Sequence, residues 1–211
     1  MRDVGAEVGY TWNVGFPIVL NAGVFNGSGL TNQKDYWTKG VNYSAKLQFL
    51  FPNLNLVLST QKIKPSDVTV TMYDGGITFH KGGFIAEAEY LYKHYSKNAF
   101  HDVHAFDGFA CYDIPVVNQK SFIKKVSPLV RYDFMSDHSD GTRYNATDDN
   151  LGELIINDYK RHRVTGGVTL SLAKPFISDI RINYEKYFYR NGGIAKTSEK
   201  DKFVIEFMTK F

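Results

Sequence analysis

The stretch "DKFVIEFMTKF" at residues 201–211 alternates between large apolar and more polar side chains. Its apolar positions in register are Phe203, Ile205, Phe207 and Phe211, and the positions between them include Lys202, Val204, Glu206, Met208 and Lys210. A period of two indicates a β-strand with two different faces. A last strand that ends on an aromatic residue is typical of a transmembrane β-barrel, where the final strand completes the sheet and its outer aromatic side chains lie at the membrane interface.

The same alternation recurs along the whole chain. The other stretches include "VGAEVGYTW" (4–12), "NYSAKLQFLF" (42–51), "FIAEAEYLYK" (84–93), "VSPLVRYDF" (126–134), "RVTGGVTLSL" (163–172) and "IRINYEKYF" (180–188). Counting all alternating segments of the chain gives about eleven strands of roughly 9 to 14 residues. This length is close to the ~9 to 11 residues that a tilted strand needs to cross a bilayer. The sequence therefore predicts an all-β, antiparallel transmembrane β-barrel that forms a single domain over residues 1–211.

Composition limits the classes of protein that remain. The chain has 211 residues with 15% aromatic side chains and a mean hydropathy of -0.30, and no apolar run is long enough for a membrane helix. A net charge of +3 is too small to indicate binding to nucleic acid. Because Cys111 is the single cysteine, an internal disulfide and a cysteine-based zinc site are excluded.

The connections between predicted strands alternate in length. The short ones are 13–18, 52–53, 80–83, 114–120 and 174–177, and the long ones fall near 27–41, 62–67, 95–103, 136–159 and 191–200. Short turns on the periplasmic side and long loops outside are typical of an outer-membrane barrel, whereas a soluble sandwich or lipocalin has no reason to keep this rhythm. On this rhythm the last strand runs inward and the first begins outside, so we expect an N-terminally truncated chain that lacks at least one strand.

Several stretches resemble the phosphate-selective porin O and P family of outer-membrane porins. They are "RDVGAEVGY" (2–10), "NAGVFNGSG" (21–29), "GGFIAEAEYLY" (82–92), "SPLVRYDF" (127–134), "INYEKY" (182–187) and the closing Phe211. The resemblance implies the C-terminal part of a 16-stranded barrel in the bacterial outer membrane, commonly a homotrimer, that passes small hydrophilic solutes or anions without a cofactor. It also implies that the barrel-assembly machinery reads the closing strand with Phe207 and Phe211. Relative to the family, we expect the signal peptide and the early strands to be missing from this sequence.

The aromatic side chains at the strand ends are predicted to form girdles against outer-membrane lipid. They are Tyr10, Trp12, Phe49, Phe51, Tyr90, Tyr92, Tyr132, Phe134, Tyr184, Phe188 and Phe211.

The polar faces of the strands, pointed inward, are predicted to line the pore. The basic positions are Lys46, Lys93, Lys125, Arg131, Arg163, Arg181, Lys202 and Lys210, and the acidic ones are Glu7, Glu87, Glu89, Asp107, Asp113, Asp133, Glu185 and Glu206. One hypothesis is a basic wall from the last strands opposite a more acidic wall, which would bias the passage of ions by their charge. The alternative is that these charges pair across neighbouring strands and only keep the lumen wet.

Other patterns carry weaker hypotheses. His94, His101, Asp102 and His104 could hold a divalent metal in an outer loop, but ordinary solvated residues explain the pattern better. The acidic loop 136–160 could bind calcium or fold inward as a gate, although an exposed loop is favoured, and "NAT" (145–147) matches a glycosylation sequon by pattern only. An adhesin or receptor barrel, or a barrel enzyme using His162, remains as an alternative, but no nucleophile setting is present and we predict no catalytic activity.

Overall fold

A computed structural model describes residues 4–26, 40–64, 68–118, 120–138, 156, 158–173, 178–189 and 200–209. The strands are β1 Val4–Asn13, β2 Pro17–Asn26, β3 Asn42–Leu50, β4 Leu54–Ile63, β5 Val70–Lys81, β6 Phe84–Tyr95, β7 Val103–Tyr112, β8 Ile114–Pro115, β9 Ile123–Met135, β10 Arg161–Leu172, β11 Ser178–Tyr189 and β12 Lys202–Thr209. A single turn of 3-10 helix at Ser96–Asn98 precedes β7. No helix in these ranges has the length and apolar content needed to span a membrane.

All twelve strands belong to one antiparallel sheet in which neighbours along the chain are neighbours in the sheet. The path runs β1-β2-β3-β4-β5-β6-β7-β9-β10-β11-β12, and the two-residue β8 pairs with β9. The strands on the path are 8 to 13 residues long. The prediction of an all-β antiparallel fold with about eleven long strands is therefore confirmed, whereas its barrel form and its single domain stay predictions.

Two of the short predicted turns owe their geometry to glycine. Gly15 joins β1 to β2 with a φ of 98°, and Gly82 joins β5 to β6 with a φ of 62°. Side chains with a Cβ rarely adopt this left-handed region, whereas glycine enters it without a steric cost. These positions fix two hairpins and thereby the register of the strands that they connect.

The chain divides into two compact units. The first unit comprises residues 1–77, 89–105 and 135–160, and the second comprises residues 78–88, 106–134 and 161–211. Several strands therefore contribute to both.

The first unit contains an apolar cluster. Ile63 at the end of β4 is only 2% exposed and packs with Val70, Tyr95 and Val103. Partly buried side chains surround these four residues: Val68, Met72, Phe100 and Met135. Hydrogen bonds hold the adjoining connections, because the Lys64 amide donates to Asn42 Oδ1 at 2.9 Å and the Thr69 amide donates to Ser96 Oγ at 2.8 Å. The cluster therefore stabilises this unit by removing apolar surface from water.

Candidate functional site

The two faces of the strands differ in exposure in a way that reverses the pattern of a soluble protein. On β10, Val164 exposes 40% of its surface while the adjacent Thr165 is 4% exposed. On β11, Tyr184 is 47% exposed, whereas the side chain of the adjacent Glu185 is 14% exposed. Other large apolar side chains share this exposure: Val8, Tyr10, Val24, Leu58, Tyr73, Ile77, Tyr90, Val130, Tyr132, Phe188, Phe203, Ile205 and Phe207. The apolar face is the exposed face, and the polar face is the more covered one.

The polar face of the second unit carries six side chains whose charges alternate in sign across neighbouring strands. We call them the charged row: Asp107 on β7, Arg131 and Asp133 on β9, Arg163 on β10, Glu185 on β11 and Lys202 on β12. The alternation brings every member within reach of at least one opposite charge.

Asp133 is the centre of the charged row because both of its oxygens bind an arginine. Arg131 Nε donates to Asp133 Oδ1 at 2.9 Å, and Arg163 Nε donates to Asp133 Oδ2 at 2.8 Å. Arg131 also contacts Asp107 through its Nη2 atom. The pairing of Arg131 with Asp133 follows from sequence, since residues i and i+2 of a strand share a face. The pairing with Arg163 requires β9 and β10 to be adjacent.

The register of the last three strands completes the charged row. Glu185 lies directly opposite Lys202 on β12, and Tyr187 lies opposite Arg163 on β10. Glu185 Oε2 accepts a hydrogen bond from the Tyr187 hydroxyl at 2.9 Å and lies 3.5 Å from Arg163 Nη1 and 3.4 Å from Lys202 Nζ. Both cations also approach the Tyr187 ring, with 5.9 Å from Arg163 Cζ and 5.8 Å from Lys202 Nζ to its centroid.

Two further charge pairs in the second unit join predicted pore-lining residues. Arg181 Nη1 lies 3.0 Å from Glu206 Oε2 on the directly opposite residue of β12. Beyond the end of β7, Lys125 Nζ donates to Asp113 Oδ2 at 2.7 Å, and Ser127 Oγ donates to Asp113 Oδ1 at 2.5 Å. The hydrogen bonds from Lys125 and Ser127 outweigh the cost of burial and hold the pKa of Asp113 below its ordinary value.

The structure brings some of the predicted pore-lining residues together and leaves others elsewhere. Arg131, Arg163 and Arg181 each have a carboxylate partner on a neighbouring strand, which is the arrangement of cross-strand pairing and not of an unpaired basic wall. The predicted residues outside the charged row and these pairs are Glu7, Lys46, Glu87, Glu89 and Lys93, and Lys210 lies outside the described residues. Lys46 lies opposite Ser59, and Lys93 Nζ lies 4.8 Å from the centroid of the Tyr95 ring. That any of the predicted residues, inside or outside the charged row, lines a pore stays a prediction.

Tyr187 is a member of the site that the sequence analysis missed. It lies on the same face as Glu185, two residues away, and opposite the face of Tyr184 and Phe188. The spacing in "YEKYFY" could have indicated this, because Tyr187 is two residues from Glu185 and so shares its face. An aromatic side chain on that face does not belong to a lipid-facing girdle.

Two of the three histidines suggested as metal ligands, His94 and His104, each contact one neighbouring side chain through Nδ1. His94 Nδ1 lies 2.8 Å from Asp102 Oδ1, and the Tyr92 hydroxyl donates to Asp102 Oδ2 at 2.6 Å. Burial opposes these contacts, but together they hold the pKa of Asp102, which lies between strands, below its ordinary value. Within the described ranges, no three His, Cys, Asp or Glu side chains are arranged to hold a metal ion.

Only the two ends of the acidic loop 136–160 are described. His138 and Asp158 form a pair of backbone hydrogen bonds of 2.9 and 3.1 Å, and the Lys160 amide donates to Asp137 Oδ1 at 2.7 Å. The remaining acidic residues of this loop, the sequon at 145–147 and the closing Phe211 lie outside the described residues. Phe207 is described and 65% exposed.

No protein-family model, curated protein or solved structure matches the chain. The resemblance to the porin O and P family therefore stays a prediction from the quoted stretches.

Proposed function

We propose that this chain forms part of an outer-membrane β-barrel porin that lets small hydrophilic solutes diffuse passively along its polar face. The observation that carries the proposal is the reversed exposure of the two faces, in which Val164 and Tyr184 are exposed while Thr165 and Glu185 are covered. In water, such a face would lose the stabilisation that comes from apolar burial. In a membrane, the same apolar face contacts lipid acyl chains and does not need to be buried within the protein.

Strand geometry supports the same proposal. Strands of 8 to 13 residues have about the length that crosses a bilayer at a tilt. A sheet in which each long strand pairs with its neighbours along the chain is the connectivity of membrane barrels. An adhesin, a receptor or a barrel enzyme would share this geometry.

The ends of the strand order require further partners. β1 and β12 are the two ends of the path, so each offers one edge to another strand. Lipid does not tolerate unpaired strand edges, because their backbone groups would lack hydrogen bonds. We therefore include additional strands in the proposed barrel, as in the 16-stranded, commonly trimeric barrels that the resemblance implies.

The charged row adds a statement about which solutes pass. Its three acidic and three basic side chains alternate and pair, so their fields largely cancel a short distance away. A balanced row still presents hydrogen-bonding groups to a polar solute. We therefore propose a pathway for small polar solutes with weak preference for ion sign, in place of strong anion selectivity.

Channel recordings test this function. Protein reconstituted into planar bilayers should give stable conductance steps, and the reversal potential in a gradient of potassium chloride should stay near zero. Liposomes that contain it should swell in a small neutral sugar. Membrane-inserted protein that neither conducts nor permits swelling would contradict the porin proposal. A reversal potential close to the limit for chloride would instead contradict the balanced row.

A further inference from the structure

Each unit carries an aromatic–histidine clamp that the proposed pathway does not use. The first clamp consists of Tyr90 and Tyr92 on β6 with His104 on β7. The second consists of Tyr132 and Phe134 on β9 with His162 on β10. In both, two aromatic residues in i, i+2 positions meet a histidine that is the second residue of the adjacent strand.

The two clamps have nearly the same dimensions. The Tyr90 hydroxyl lies 2.6 Å from His104 Nδ1, and the His104 ring lies 6.2 and 5.0 Å from the rings of Tyr90 and Tyr92. The Tyr132 hydroxyl lies 2.7 Å from His162 Nδ1, and that ring lies 6.0 and 5.1 Å from the rings of Tyr132 and Phe134. The repetition in two units indicates a specific arrangement of each imidazole.

The hydroxyl contact determines what each histidine offers to a ligand. A phenol is a good donor and an imidazole nitrogen is a good acceptor, so we assign the proton between them to tyrosine. With Nδ1 accepting this hydrogen bond, the ring N–H donor is on Nε2. No described residue hydrogen-bonds to Nε2 of His104 or His162. Each clamp therefore presents one oriented N–H donor.

The location of the clamps indicates the environment of that donor. Tyr90 and Tyr132 are 45% and 39% exposed, and in the second unit Tyr132 lies on the same face as the exposed Val130. Each histidine is at a strand end, one residue from the adjoining connection. In the proposed barrel, this is the level at which lipid headgroups meet the apolar band.

We infer that each clamp binds the phosphate of a lipid headgroup through its histidine Nε2–H. An anionic acceptor forms a stronger, charge-assisted hydrogen bond than a neutral one. The flanking aromatic rings supply the apolar contact that acyl chains and the glycerol region require. The inference rests on the proposed function, because lipid surrounds this face only if the chain lies in a membrane.

The test uses the barrel protein that contains this chain, isolated in neutral detergent micelles, and phosphatidic acid as the probe. Addition of phosphatidic acid should shift the histidine side-chain Nε2–H signals of His104 and His162 saturably in ¹H–¹⁵N spectra. Diacylglycerol with the same acyl chains should not. The double variant His104→Phe, His162→Phe should bind phosphatidic acid about tenfold more weakly, as expected for the loss of hydrogen bonds to a charged group.

Matched variants separate a binding role from a structural one. Tyr90→Phe with Tyr132→Phe keeps all the rings, so it should fold and yet weaken binding because the imidazoles lose their orientation. His80→Phe changes a histidine of β5 that belongs to neither clamp and should leave binding unchanged. Unaltered affinity in the two clamp variants, or an equal response to diacylglycerol, overturns the inference. An equal response to inorganic phosphate overturns the assignment to lipid.

Conductance of the same preparation distinguishes the two proposals. A protein that conducts but shows no response to phosphatidic acid contradicts the clamps alone. A protein that responds to phosphatidic acid but does not conduct contradicts the porin function alone.

Discussion

The two units of this protein use different chemistry on their covered side chains. The first unit buries Ile63, Val70 and Val103 in an apolar cluster. The second unit covers Asp133, Arg163 and Glu185 in a row of alternating charges. Apolar burial is non-directional and tolerates small displacements, whereas a charge row depends on every partner being present. The covered side chains of the first unit therefore contribute apolar packing, and those of the second contribute paired charges, which a solute would meet only in the proposed porin.

The largest expected effect on stability is in the apolar cluster. Ile63→Ala should lower the free energy of unfolding by about 2–5 kcal/mol, because it removes buried methyl groups and leaves a cavity. Urea titration of micelle-folded protein, followed by circular dichroism, measures this loss. Ile63→Val should cost only about 1 kcal/mol.

Ile77→Ala is the matched control for that change, since Ile77 is 43% exposed on β5. It should cost less than about 1 kcal/mol, as exposed substitutions usually do. Equal losses at Ile63 and Ile77 would remove the distinction between the cluster and the exposed face.

The next effect concerns the centre of the charged row. Asp133→Asn leaves Arg131 and Arg163 without their shared anion, which should cost about 3 kcal/mol of stability. Arg131 keeps Asp107 and Arg163 keeps Glu185, so the row gains one net positive charge. That charge should shift the reversal potential toward chloride, with a roughly fivefold rise in anion preference for a charge a few ångströms from the path. Planar-bilayer recordings in a salt gradient measure the shift.

Two variants sharpen this result. Asp133→Asn combined with Arg163→Gln restores the charge balance and should return the reversal potential toward zero. Asp201→Asn removes an exposed acid that pairs with Lys186 outside the row, and it should leave selectivity unchanged. An unshifted potential in Asp133→Asn would mean that the row does not face the solute.

The smallest effect is a pH dependence at Asp113. Because its folded pKa lies below the ordinary value of 3.8, Asp113 stabilises the folded state above that value, and the contribution disappears as the pH falls through the folded pKa. Asp113→Asn should therefore cost about 1 kcal/mol at pH 7. The difference between the two proteins should shrink below pH ~4.

Thermal unfolding from pH 7 to pH 3 measures this difference. Ser127→Ala, which removes one of the two hydrogen bonds to Asp113, should give an intermediate loss with the same direction of pH dependence. A difference in stability between the unaltered protein and the Asp113→Asn variant that grows toward low pH would contradict the assignment of a stabilising carboxylate.

Much of the fold could be predicted from the chain, because β alternation is a local property. The period of two assigned Tyr132 and Val164 to one face and Arg131 and Arg163 to the other without any knowledge of neighbours. The short connection at 80–83 was predicted from the gap between two alternating stretches, and the turn at Gly82 lies within it. The candidate site was predictable only as a set of inward charges.

The partners within that set could not be predicted in the same way. Asp133 and Arg163 are 30 residues apart, and a shift of one residue in the register of β10 would reverse the face of every side chain on that strand. For the same reason, the sequence alone left His94, His101, Asp102 and His104 as one possible metal group. In the structure, His104 instead pairs with Tyr90 while His94 pairs with Asp102.

The sequence by itself determined the strands, their two faces and the exclusion of helical membrane segments, since each depends on residues close together along the chain. The tertiary structure decided that charges alternate and pair across five strands, that Tyr187 joins them, and that two histidines are each held between aromatic rings. Those features depend on strand order and register. Register is set by the sum of many cross-strand contacts, which no single stretch of sequence contains.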